Sequence, residues 1–275
     1  MTVLTALVKD TFREAFASKI FWGLFALSTL MILFFLFLLR IDIVEGGTAV
    51  ISLWSTGAKP PSRDVGVLVL QVYAGIASFL FTFGMFLAVF ASSGLIPSLL
   101  EQGRIVLLLS KPVGRAQLLL GRYVGNLLVI LANTTWLVVG VWCIFGWKTG
   151  IWNARFLVTI AITMFLFAVL LALVVLLGVL FESGALATMV TMALGLVSVI
   201  LAQERIALRL LSSEWSRNLW TALYHVFPKW YDLGAINTAI VRGLPVESWL
   251  PLWTTAAFGA ASLGAALWLF WRRDY

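Results

Sequence analysis

Charge is what this 275-residue sequence has least of: only 11% of its residues are Asp, Glu, Lys or Arg. A soluble domain carries about 25%. So few charges cannot cover a water-exposed surface, and 62% of the residues are hydrophobic. Cysteine is nearly absent. The single Cys143 excludes an intrachain disulfide and any C-x-x-C metal or redox motif. The lone histidine, His225, excludes a His-rich metal site, and its expected role is a solvent-exposed or structurally bonded imidazole. No G-x-x-x-x-G-K-[ST], H-E-x-x-H or G-x-S-x-G pattern occurs. The chain reads as non-catalytic, with no metal and no cofactor of its own.

What is present is a series of apolar runs of about 20 residues, the length that crosses a bilayer at roughly 1.5 Å per residue. They cover 20–39, 68–91, 118–145, 156–181, 185–202 and 250–271. The expected fold is therefore all-α, one membrane domain over 1–275 with six spans. Residues 2–19 add an interfacial helix: Leu4, Leu7, Val8, Phe12, Ala15 and Phe16 share one face, and Lys9, Asp10, Arg13, Glu14 and Lys19 fall outside it. That polar start and the long run after it do not fit a cleavable signal peptide. Residues 40–67 read as a polar linker broken by Gly46, Gly47, Gly57 and Pro60-Pro61. Glu182-Ser183-Gly184 reads as a tight turn. Residues 203–249 form a long mixed segment on the outer side. Ile206, Leu210, Leu211 and Trp215 suggest a partly apolar helix there, and Pro228 and Gly243 punctuate it.

The net charge of +7 lies mainly in segments flanking the runs, which points to lipid headgroups and topology rather than to nucleic acid. Lys19, Arg115, Arg122, Arg272 and Arg273 hug span ends on the side of the termini. Most tryptophans, Trp142, Trp147, Trp152, Trp249 and Trp253 among them, fall on the other side. The expectation is a multi-pass protein of the cell (inner) membrane with both termini cytoplasmic.

No ionisable residue sits near a span centre, which argues against proton or ion coupling. Uncharged polar groups do occur there: Ser78, Thr82, Asn133, Thr134, Thr135, Thr159, Thr163, Thr188, Thr191 and Ser198. They either tie helices together or line a weakly polar pathway. Small residues form two rows in the last run, Ala256, Ala260, Gly264 and Ala257, Ala261, Ala265, which suit close packing within the chain or against a second copy.

The link between the second and third runs is the most informative stretch. Pro97 can start a short helix and Gly103 breaks it; Leu107–Leu109 form an apolar stretch that stops at Pro112. Arg104, Lys111, Arg115 and Arg122 keep the link on the cytoplasmic side. A short, partly apolar helix ringed by charge suits a groove in a soluble partner.

At these residues the chain resembles the ABC-2 type permeases, in particular the branch that includes the permease for nitrous oxide reductase maturation. The shared pattern here is Glu101, Gly103, Leu107–Leu109, Ser110, Pro112, Val113, Arg115 and Leu119-Leu120-Gly121-Arg122. Tyr224-His225-Val226-Phe227-Pro228 with Asp232-Leu233 resembles that branch's loop before the last span. The sequence departs from it in lacking a second acidic residue before Glu101 and in carrying Arg104 where Thr is common.

The resemblance implies an ABC-2, type V exporter-like, permease fold. It also implies two permease copies, a homodimer being expected, with two separate ABC ATPase subunits that hold ATP and Mg. The 97–113 segment would be the coupling element, with Pro97, Glu101, Gly103, Arg104, Ser110, Lys111, Pro112 and Arg115 as docking residues. Tyr224, Pro228 and Asp232 would serve an outer gate or a partner contact. Two functions remain open: export of an unidentified substrate, or mechanical transmission to an extracytoplasmic protein during metalloenzyme maturation, with no solute crossing.

Overall fold

The computed structural model describes residues 13–14, 16, 19–38, 40–44, 48–52, 63–92, 114–203 and 213–272. The coupling segment 97–113 and most of the interfacial helix lie outside these residues. The bundle is built from α1 (Lys19–Leu38), α2 (Val65–Ser92), α3 (Arg115–Thr149), α4 (Val158–Phe181), α5 (Gly184–Leu201) and α8 (Leu250–Arg272). Two shorter helices, α6 (Glu214–Val226) and α7 (Trp230–Arg242), lie between α5 and α8. Among the described residues, five stretches, within α2, α3, α5, α8 and the continuous 154–181 helix, are long and apolar enough to cross a membrane. In α1 the apolar stretch Phe21–Phe37 is shorter.

One sequence expectation is corrected. Residues 40–67 are not merely linker: β1 (Arg40–Val44), β2 (Thr48–Ser52) and β3 (Arg63–Asp64) form an antiparallel sheet in the order β1-β2-β3. Arg40 pairs with Ser52 and Val44 with Thr48, and β3 joins through Thr48 opposite Asp64. The β-branched residues of Arg40–Val44 and Thr48–Ser52 favour strand. The membrane body is all-helical, as expected.

Cross-helix contacts fix the helix directions. α1 and α3 run parallel: the Ser28 hydroxyl donates to Asn133 Oδ1 at 3.2 Å, and Trp136 Nε1 donates to Thr29 Oγ1 at 3.3 Å. Further along, Lys148 of α3 donates to the Phe35 and Leu36 carbonyls. The last turn of α1 has no basic residue of its own, so α3 supplies the cation that its carbonyls favour. α2 runs the other way, with Asn126 Nδ2 bonded to Ser92 Oγ at 2.8 Å near one end and Tyr73 Oη bonded to the Ile151 carbonyl at 3.1 Å near the other. The near end of the bundle thus carries the start of α1, the end of α2, the start of α3, the α4–α5 turn and the end of α8. The far end carries the sheet, the α3–α4 turn and α6.

At the near end Glu182 adopts a left-handed φ of 53° and Ser183 caps α5, accepting from the Leu186 N–H at 3.4 Å. α4 is the centre of the bundle, with Leu166, Phe167, Leu170, Leu171 and Val174 all buried. In lipid such burial gains little from the hydrophobic effect, so close packing and hydrogen bonds hold the helices together. α8 shows this. It buries Thr255, Gly259, Ser262 and Ala266 against the bundle, and a Cβ at Gly259 would lie 2.8 Å from Val169. The two rows picked out from sequence are not the buried ones: Ala257, Ala260, Ala261 and Gly264 are exposed on this chain.

Candidate functional site

α7 enters the bundle instead of lying outside it. Its apolar residues Trp230, Leu233, Ile236 and Val241 recur at helical spacing and are buried, as is Asn237. The Trp230 ring packs 5.1 Å from that of Phe86 in α2, and its backbone N–H donates to Ser198 Oγ of α5 at 3.1 Å. Gly195 makes the approach possible, since a Cβ there would come within 2.6 Å of the Trp230 ring. At the other end of α7, Asn153 Nδ2 of the α3–α4 turn donates to the Val241 carbonyl at 2.9 Å. α7 therefore runs from inside the bundle to its far end. The long segment is only partly an outer loop, because α7 has the wide apolar face of a helix with neighbours on most sides.

α2, α5 and α7 enclose an open groove of about 400 Å³, lined in part by Ser78, Thr82, Gly195, Trp230, Tyr231 and Thr238. Its polar groups are all uncharged. The polar residues picked out from the sequence are placed in several ways. Thr188 and Thr191 donate to the carbonyls of Gly184 and Ala187 in their own helix, and Ser198 and Asn133 bond across helices. Ser78 and Thr82 are exposed on the groove. The Thr159 and Thr163 hydroxyls are buried without a hydrogen-bond partner.

At the α6–α7 junction the structure brings together two of the three outer residues read from sequence. The Tyr224 hydroxyl donates to Asp232 Oδ2 at 2.7 Å, and Pro228 is buried in the turn between them. Lys229 was not visible as a site residue. It is 3% exposed, its ammonium donates to Thr254 Oγ1 at 2.9 Å, and it sits 4.5 Å from the centre of the Tyr224 ring. Burial pushes its pKa below the ordinary lysine value, and nearby Asp232 opposes that shift. A basic residue in a mixed loop has the look of a topology charge, so nothing local marks it as buried. His225 is exposed, with Nδ1 2.8 Å from the Thr221 carbonyl of its own helix.

At the near end, Arg122 of α3 is 4% exposed and pairs with Glu14. Of the docking residues, Pro97, Glu101, Gly103, Arg104, Ser110, Lys111 and Pro112 lie outside the described residues, and Arg115 is the first residue of α3. Among the described residues no group of three or more His, Cys, Asp or Glu is placed to hold a metal ion.

Comparison with curated proteins finds no significant match. The family model described as ABC-2 family transporter protein matches residues 5–275. With that match over nearly its whole length, and with this bundle of apolar helices, the chain belongs to the ABC-2 family of transporter proteins, as a membrane permease subunit.

Proposed function

We propose that this permease exports a substrate of still unidentified class, driven by ATP hydrolysis in two separate ATPase subunits that dock on the 97–113 segment. α1 serves as the sixth span: its 20 residues reach about 30 Å, enough for the hydrocarbon core. The near end, where α1 starts and α8 ends, is the cytoplasmic one, because Arg115, Arg122 and Arg272 cluster at span ends there. Two copies form the transporter. The observation that carries the reading is the groove between α2, α5 and α7. It offers uncharged polar groups along the bundle, and its far-end wall is the inserted helix α7.

In this mechanism nucleotide binding closes the ATPases and favours one of two membrane conformations through its differential affinity for them. The 93–113 link joins α2 to α3, so movement of that link reaches the groove wall directly. α7, held by Ser198 and Asn153, shifts with α5 and the α3–α4 turn and opens or shuts the far end. ATP and Mg belong to the partner subunit; this chain supplies docking, pathway and gate.

Charge reversal at Glu101 or Arg104 tests the docking assignment. Each variant is expected to weaken ATPase-subunit association and to lower stimulated ATP hydrolysis about tenfold, the effect of ~1.4 kcal/mol. Normal co-purification and hydrolysis in both variants would overturn it. Hydrolysis that accompanies no solute movement, but drives a partner outside the cell, would favour mechanical transmission.

A further inference from the structure

Helix α6 has three faces in three different surroundings. Trp220 and Tyr224 face the bundle: the Trp220 indole N–H donates to the Leu201 carbonyl at 3.1 Å, and Tyr224 reaches Asp232. Glu214, Asn218, Thr221 and His225 form an exposed polar face. Trp215, Leu219, Leu223 and Val226 form an apolar stripe that nothing among the described residues covers, with Trp215 73% and Val226 59% exposed. At 3.6 residues per turn the stripe and the polar face are centred roughly 120° apart. No residue of α6 is buried.

A continuous apolar stripe of this kind on a water-facing surface marks an interaction site. The level of α6 indicates what meets it. Leu201, which accepts from Trp220, is the last residue of the α5 span, and the preceding turn exposes Leu196, Val197 and Ile200. α8, which also packs beside α6, begins its span at Leu250 with Trp249, Leu250 and Trp253 exposed. Exposed apolar residues at the ends of two spans therefore lie at the level of α6.

We propose that α6 is a lipid-seated helix. It lies along the far-side interface of the bilayer with Trp215, Leu219, Leu223 and Val226 in the headgroup–acyl boundary, and with Asn218, Thr221 and His225 in water. A helix at the junction of protein, lipid and water needs three faces about a third of a turn apart, and α6 has them. Through the Tyr224–Asp232 bond the depth of α6 is tied to α7, so the gate helix takes its reference level from the far leaflet. The inference rests on the membrane-spanning assignment, and holds whatever crosses and whether or not the ATPase docks at 97–113.

Nitroxide labelling in bilayer nanodiscs tests it, using the full-length protein with its co-purifying subunits. In a Cys143→Ser background, single cysteines replace Trp215, Leu219, Leu223 and Val226 on the stripe and Asn218, Thr221 and His225 on the polar face. Collision rates with oxygen and with a water-soluble nickel chelate are measured at each. The expected result is an oxygen-to-nickel ratio several-fold higher on the stripe, oscillating with helical period along the seven positions. A stripe as open to nickel as the polar face would place it in water and overturn the proposal. A stripe shielded from both reagents would mean a second copy or another protein covers it, and would overturn it equally.

Discussion

Arg122 shows how one residue can serve both topology and packing. As a positive charge at a span end it reads simply as a topology signal, but the fold buries it and pairs it with Glu14. A buried guanidinium left without its carboxylate costs about 1–3 kcal/mol, more than an exposed ion pair is worth. Glu14→Gln and Arg122→Glu are each expected to lower the thermal midpoint in detergent. The double variant Glu14→Arg/Arg122→Glu should recover at least half of that loss. Failure of the swap to recover any stability would show that the two charges act independently. Lys229 teaches the same lesson at the far end, where its ammonium satisfies Thr254 and rests against Tyr224. Neither burial was legible, because the partners lie 108 and 25 residues away in sequence.

At the scale of elements, the apolar runs were legible wherever length alone decides. Where the sequence suggests 118–145, the helix extends over Arg115–Thr149, because polar Gln117 and Lys148 prolong it beyond the apolar stretch. The sheet over 40–64 was missed because Gly46-Gly47 and Pro60-Pro61 dominate the local signal, although Ile41, Ile43, Val50 and Ile51 favour strand. The insertion of α7 was legible only through its apolar periodicity. The buried row Thr255, Gly259, Ser262 and Ala266 was hidden among so many small residues that three rows look alike.

Insertion of α7 depends on Gly195, and a Cβ there must displace Trp230. Gly195→Ala is expected to destabilise the protein by about 1–3 kcal/mol, the usual cost of overpacking a filled interior. Trp230→Ala opens that space, so the two substitutions together should cost clearly less than their sum. Strict additivity in thermal unfolding would mean that Gly195 and Trp230 do not share the contact on which insertion of α7 depends.

For the whole molecule, the near end holds Glu14, Arg122 and the α4–α5 turn, while the far end holds α6, the end of α7 and the sheet. Under the proposed mechanism such a permease would receive force at one end and gate at the other, with α4 as the packed axis between them. The family match covers both ends and fits a subunit whose ATP chemistry is supplied by another chain. The most direct measurement is purification of the tagged chain from its native membrane in mild detergent, followed by identification and assay of what accompanies it. The expected particle holds two copies of this chain and an ATPase carrying a G-x-x-x-x-G-K-[ST] loop, and it hydrolyses ATP. A monomeric particle with no ATPase and no hydrolysis would contradict the assignment.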